Sequence, residues 1–206
     1  MAGELTPEQR AAAAEQGLQR LIAGNERFVR GEAHFPTVCK ETLADMAKAQ
    51  APYATILGCS DSRVPPELIF DADFGELFIV RVAGNVMSRE VMGSLQYARA
   101  HLQTPLFVVL GHEGCGAVKA ALASRGAGAA QKRFIQVLVD NIVPGLPDLA
   151  SDMPEAERLS RCVEANVRWS MQQIASVPEA QESIRRGNRL VGAVYEIATG
   201  HVRFLT

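Results

Sequence analysis

The chain of 206 residues has no apolar run long enough to cross a bilayer. Its longest, such as residues 106–110, fall far short of the roughly 20 residues a spanning helix needs. It has no excess of either charge: 21 Lys and Arg against 23 Asp and Glu leave a net charge of −2. That balance argues against nucleic acid as the main partner, which demands a basic face. The opening Met1-Ala2-Gly3-Glu4 lacks a basic segment followed by an apolar one, so no export leader is expected and the cytoplasm is the expected location. There is no internal repeat, low-complexity tract or linker, and residues 1–206 read as one domain. What remains is ordinary globular composition, 48% apolar and 21% charged, able to build a core without disulfides.

Cysteines are few, and their placement carries information. In a cytosolic chain, four cysteines are read for metal or redox chemistry before disulfides. Cys39 and Cys162 have no ligand-type neighbour at short spacing and read as small buried or partly buried thiols. Cys59 and Cys115 stand in polar clusters. No Cys-x-x-Cys occurs, which argues against a thiol-redox role.

Thr6-Pro7-Glu8-Gln9 offers an N-cap, a proline at the first helical position and a capping-box glutamine. Leu18, Leu21, Ile22 and Phe28 come after it at helical spacing, with a break expected at Gly24 and a stop at Gly31. A loop with His34 and Pro36 leads to a second helical pattern over 40–49. The arm of residues 1–35, together with this second pattern, is either a scaffold on its own chain or a stripe for a second subunit.

Three nearly unbroken apolar runs come next: 53–57 ending at Gly58-Cys59, 77–82 ending at Ala83-Gly84-Asn85, and 106–110 ending at Gly111-His112. Runs without alternation indicate parallel strands buried on both faces. Between the second and third, residues 88–103 carry Val91, Leu95, Ala98 and Leu102 on one helical side, so strand, helix and strand form a crossover unit. Helices are expected over 117–124, 131–143 and 154–177, a loose connection at 126–128, a turn at 144–147, and a strand pair over 190–197 and 201–205. The expected fold class is α/β, with a mostly parallel central sheet.

Cys59-Ser60-Asp61-Ser62-Arg63 and His112-Glu113-Gly114-Cys115-Gly116 each come directly after an apolar strand. In open parallel sheets, sites form beyond the carboxyl ends of strands, where neighbouring connections diverge. If the first and third strands are neighbours, Cys59, Asp61, His112 and Cys115 converge, and two thiolates, an imidazole and a carboxylate make a tetrahedral zinc set. Arg63 can grip Asp61 with a two-pronged bond, drawing it off the metal and opening a position for water. The expected resting state has Asp61 on Arg63. Zinc with two thiolates and a neutral histidine is net neutral, so its water should titrate somewhat above 7. A closed structural zinc site in a scaffold protein is the rival reading, but it has no use for Arg63. Gly111, Gly114 and Gly116 before Lys119 do not have the spacing of a phosphate loop.

The run Cys59-Ser60-Asp61-Ser62-Arg63-Val64, with Gly111-His112-x-x-Cys115-Gly116 after a long gap, resembles the β-class carbonic anhydrases. The resemblance extends from Asn25-Glu26-Arg27-Phe28 through the last strand pair. It implies four parallel strands plus an antiparallel edge strand, flanked by helices, with an N-terminal helical arm. It also implies one zinc per chain on Cys59, His112 and Cys115, with Asp61 either a fourth ligand or the partner of Arg63. The implied reaction is hydration of CO2 to bicarbonate by zinc-bound hydroxide, whose hydrogen bond Asp61 accepts. Hydrolysis of COS or CS2 by a similar site is the alternative chemistry.

The same resemblance extends to further positions. Gln50 matches a donor to substrate oxygen, Phe78, Ala83 and Tyr97 match the apolar CO2 pocket, and the Gly116 amide matches a donor to the bound anion. Since the family draws pocket residues from a neighbouring subunit, a homodimer or homotetramer is implied, with no membrane or nucleic-acid partner. One branch has an inhibitory bicarbonate pocket of Trp, Arg and Tyr. Arg81 and Tyr195 match two of its positions, but Ile56 stands at the third, and Trp169 is the only tryptophan.

Overall fold

The computed structural model describes residues 5–34, 43–44, 46–127, 131–150 and 152–205. Cys39 and much of the helical pattern over 40–49 lie outside them, although Leu43, Ala44 and Met46 are helical. In chain order the elements are α1 (Pro7–Arg30), β1 (Ala54–Gly58), α2 (Pro66–Ile69), β2 (Leu77–Arg81), a 3-10 turn (Ala83–Asn85) and α3 (Arg89–His101). They continue with β3 (Leu106–His112), α4 (Gly116–Ala127), α5 (Arg133–Ile142), a 3-10 turn (Val143–Gly145), α6 (Glu155–Ala175), α7 (Pro178–Arg185), β4 (Arg189–Tyr195) and β5 (Val202–Leu205).

The sheet order is β2-β1-β3-β4-β5. β1 pairs in parallel with both β2 and β3, β3 in parallel with β4, and β5 antiparallel with β4. This is the expected α/β class, with four parallel strands and an antiparallel edge. The chain leaves β1 for β2 on one side and returns across it to β3 on the other, so the topological switch falls between β1 and β3.

Strand side chains alternate between two layers. Leu57 and Val109 pack with Val91 and Leu95 of α3 and Val163 and Val167 of α6. Ala54, Ile56, Val108 and Leu110 pack with Ala14, Leu18 and Leu21 of α1. β1 is buried along its whole length, as its unbroken apolar run requires. β2 differs from expectation: an edge position leaves Leu77, Phe78, Ile79 and Val80 only partly covered.

The N-terminal helix starts as its sequence dictates. Thr6 Oγ1 accepts from the Gln9 amide, the Gln9 side chain accepts from the Thr6 amide, and Gly31 ends the helix with φ +71°. The break expected at Gly24 is absent, and α1 runs through it. A Cβ there would lie 1.9 Å from the Phe70 carbonyl oxygen, so this glycine serves close approach of two backbones. Asn25, buried, donates to the carbonyls of Ile69 and Gly200 and accepts from the Val202 amide, tying α1 to its own chain's sheet. Two further differences are local. α4 continues through Gly126 and Ala127, where a loose connection is expected, and α7 is a short polar helix that the apolar periodicity does not reveal.

Among the described residues, no helix is long and apolar enough to cross a membrane.

Candidate metal centre

β1 and β3 deliver their polar clusters to the same end of the sheet. Cys59 comes after Gly58, the last residue of β1, and His112 is the last residue of β3. Gly114, at φ +65°, turns the chain so that Cys115 arrives immediately before α4. All three residues are buried, and the two Sγ atoms and a ring nitrogen lie within 4.8 Å of one another. His112 Nδ1 donates to the Glu113 carbonyl at 2.9 Å, which fixes the tautomer and leaves Nε2 with its lone pair free. Nε2 is buried and has no hydrogen-bond partner among the described residues. A buried acceptor left unsatisfied beside two thiols is what a soft, borderline metal such as zinc would resolve.

The thiols share a proton unequally. Cys59 is pushed down to about 4, chiefly by the hydrogen bond from Cys115 and against its own desolvation, with help from the neighbouring His112 side chain and then the Gly84 and Asp61 amides. Cys115 is pushed up by donating that bond and by burial. The Gly84 amide reaches Cys59 Sγ at 3.3 Å.

Asp61 stands beside the three donors, with Oδ2 3.9 Å from His112 Nε2. Its partner is Arg63, which donates from Nε to Oδ1 at 2.9 Å, from Nη2 to Oδ2 at 2.7 Å and from its amide to Oδ1 at 3.0 Å. These bonds hold the Asp61 carboxyl well below the usual range. Strand order and spacing suggest a four-residue cluster. The structure gathers Cys59, His112 and Cys115 and turns Asp61 to Arg63.

The other singled-out positions divide into two groups. Ala83 opens the 3-10 turn that carries Gly84, and Gly116 adjoins Cys115, so both lie at the centre. Gln50 precedes β1, whereas Cys59 lies beyond its far end, across a strand of about 16 Å. Phe78 pairs in register with Thr55, near the start of β1, and its ring lies 6.2 Å from that of Tyr97, which is 47% exposed. Within one chain, these three lie toward the opposite end of the strands. Cys162 is fully buried in the core, in keeping with its isolation in sequence.

Several contacts at the centre are not evident from motif spacing. Arg81, at the end of β2, donates from Nε to the Cys59 carbonyl at 2.8 Å and from Nη2 to the Asp61 carbonyl, clamping the loop between the two residues. Tyr195 is buried and pairs in register with His112. Asn166 and Ser170 of α6 bond to the backbone of the Ala83–Asn85 turn. In the sequence, only the ending of the β2 run at Ala83-Gly84-Asn85 hints at this turn.

A sheet of parallel strands with buried thiol and imidazole groups at its switch point, and a carboxylate turned aside beside them, defines an α/β protein with a cluster that could hold a metal ion. Comparison with known proteins narrows this class. A family model described as carbonic anhydrase matches residues 54–202. Carbonic anhydrase 2 of Mycobacterium tuberculosis is 39% identical over 185 residues, covering 87% of each chain. A carbonic anhydrase of Mycolicibacterium smegmatis is 36% identical over 184 residues, with the same coverage. Among solved structures, the Coccomyxa β-carbonic anhydrase in complex with acetazolamide superposes with a TM-score of 0.67 at 25% identity, over 94% of this chain and 83% of that one. A β-carbonic anhydrase of Sordaria macrospora, described as tetrameric, shares the fold at a TM-score of 0.72 and 24% identity, over 92% and 97%. This chain belongs to the β-carbonic anhydrase family, whose members are lyases.

Proposed function

We propose that this chain catalyses the zinc-dependent, reversible hydration of CO2 to bicarbonate and a proton, with one Zn2+ per chain held by Cys59, His112 and Cys115. The observation that carries the reading is the unsatisfied, buried His112 Nε2 among two thiols, with Asp61 held 3.9 Å away by Arg63. Bound there, zinc supplies a Lewis acid that lowers the pKa of water toward neutrality.

The protein's own groups then set geometry. Arg63 keeps Asp61 ionised and occupied, so the carboxylate serves as a hydrogen-bond acceptor beside the centre instead of a fourth ligand. Accepting an O–H at Oδ2 orients the nucleophilic oxygen, leaving a lone pair for the CO2 carbon. Gly116, exposed at the first turn of α4, offers its backbone amide to an anionic oxygen of bicarbonate.

The apolar pocket is completed in this reading by a second copy of the chain. The partly covered edge strand β2, with half-buried Phe78 beside exposed Tyr97, forms a surface that a homodimer or homotetramer would bury, bringing Gln50, Phe78 and Tyr97 toward the partner's centre beside its Ala83 position. Within the arm of residues 1–35, α1 packs its inner face on its own sheet and is proposed to offer its outer face to that partner. The free thiols Cys59, Cys115 and Cys162 suit a reducing, cytoplasmic setting.

Metal analysis joined to a CO2 hydration assay tests the reading. One zinc per chain and fast hydration are expected, with both lost in His112→Ala. A folded protein that binds no zinc, or one that binds zinc and leaves CO2 unhydrated, would contradict it.

A further inference from the structure

The Ala83–Asn85 turn is held by a helix far from it in sequence. Asn166 of α6, 1% exposed, donates from Nδ2 to the Gly84 carbonyl at 2.8 Å. One helical turn further on, Ser170, fully buried, donates from Oγ to the Asn85 carbonyl at 3.0 Å. Both side chains lie on the face of α6 that carries Val163, Val167 and Ile174 into the core, where an apolar residue would be the default. Two buried polar groups in an apolar layer cost desolvation unless their bonds are made; the Asn166 Nδ2 donor and the Ser170 hydroxyl make theirs to one turn, while Asn166 Oδ1 has no partner among the described residues.

The turn they hold is conformationally demanding. Gly84 has φ +71° and Asn85 φ +44°, both in the left-handed region. A Cβ on Gly84 would meet Ile142 Cδ1 at 2.8 Å and Ala117 Cβ at 3.0 Å. Packing and backbone together leave glycine the one residue suited to the place. What the conformation achieves is the aim of a single N–H: the Gly84 amide points at Cys59 Sγ, 3.3 Å away.

We infer that Asn166, assisted by Ser170, is a positioning residue for the metal centre, acting through the Gly84 amide on the Cys59 sulfur. This rests on the reading of Cys59 as a metal ligand. An N–H bond to a ligating thiolate withdraws electron density from sulfur, and so governs how much charge the sulfur passes to the metal. Asn166 fixes the carbonyl side of Gly84, and Ser170 fixes the next peptide, so the amide cannot rotate away from the sulfur. The outer face of the centre is therefore built by α6, while the ligands come from the ends of β1 and β3.

Cobalt substitution separates this role from simple packing. In Co2+-loaded protein, the thiolate-to-cobalt charge-transfer band reports the energy of the sulfur lone pairs. Asn166→Leu keeps a similar volume and removes the donor. It is expected to move the band to longer wavelength and to weaken zinc affinity, measured by competition with a chelator, by about 10–100-fold. Ser170→Ala removes the assisting bond alone and is expected to shift the band in the same direction by less. Because Ser170→Ala is the milder lesion, it carries the test if Asn166→Leu fails to fold.

If wild-type protein takes up no cobalt, or shows no thiolate band, the metal-ligand reading fails and the inference falls with it. If the wild-type band is present and folded variants show the same band and zinc affinity within twofold, the positioning role is overturned and the metal centre stands.

Discussion

Arg63 grips Asp61 through Nε and Nη2 of its guanidinium, at 2.9 and 2.7 Å, while the same carboxylate lies only 3.9 Å from His112 Nε2. Two residues apart in sequence, the pair decides whether the carboxylate faces the three donors or stands aside. Removing the guanidinium in Arg63→Ala frees Asp61 to close on the metal. CO2 hydration should then fall by about 10–100-fold, the usual cost of losing an outer-shell partner. Arg63→Lys should restore little, because an ammonium cannot make the two-pronged bond. Wild-type kcat/KM in Arg63→Lys, read by stopped flow, would show that charge alone suffices.

The Cys59–Cys115 pair makes a prediction for the metal-free protein. With Cys59 pushed down to about 4 and Cys115 pushed up, the folded pair holds one proton near neutrality, where the unfolded chain holds two. Fewer protons bound when folded means that this pair's contribution to stability grows as pH rises from about 4 to about 8.5. Above that the unfolded chain has lost both protons while the folded pair still keeps one, so the contribution declines. Ultraviolet absorbance should show one thiolate per chain already at pH 6, and absorbance appearing only near pH 8.5 would contradict the shared proton.

Gly24 is predicted to be essential to packing rather than to helix geometry. Gly24→Ala adds helix propensity of about 1 kcal/mol but drives a Cβ into the Phe70 carbonyl. A net loss of about 2 kcal/mol is expected, lowering Tm by about 4–8 °C. Gly93→Ala in α3, where nothing lies within 4 Å, should raise Tm instead. Equal effects at the two sites in a thermal melt would refute the packing argument.

These residues also show what the sequence makes legible. The strand ends at Cys59 and His112 can be read directly, because unbroken apolar runs mark parallel strands and polar clusters mark their ends. Gly24 misleads because glycine is a local helix breaker, whereas the reason for it lies in Phe70 of another element. Asn166 and Ser170 leave no signal at all: inside a helix they look like two polar positions in an apolar stripe, and their partners are found only once α6 folds over the turn. β2 reads like β1 in composition, and only the strand order shows that it lies at an edge.

Asp71 ties the N-terminal arm to the sheet layer. It accepts from Arg27 Nε at 2.6 Å and from the His34 amide at 2.8 Å, with a side chain only 3% exposed. Burial pushes its carboxyl up, but the Arg27 and His34 bonds outweigh this and leave it below its ordinary value. A depressed carboxyl contributes stability that is present above about pH 4 and is lost as pH falls through its folded value. Asn tolerates the left-handed backbone at this position, φ +44°, so Asp71→Asn tests the charge alone. It should cost about 2–3 kcal/mol at pH 7, and the gap from wild type should narrow as pH falls below 4. A gap independent of pH in denaturant unfolding would contradict the ion pair.

The most direct test of the whole account is stopped-flow CO2 hydration by zinc-loaded wild-type protein from about pH 6.5 to 9, a range that spans the titration of the nucleophilic water. Hydration that is fast and rises with pH is predicted, with Asp61 held on Arg63 throughout. A zinc-loaded protein that hydrates no CO2 at any pH would contradict the assignment of this centre to that reaction.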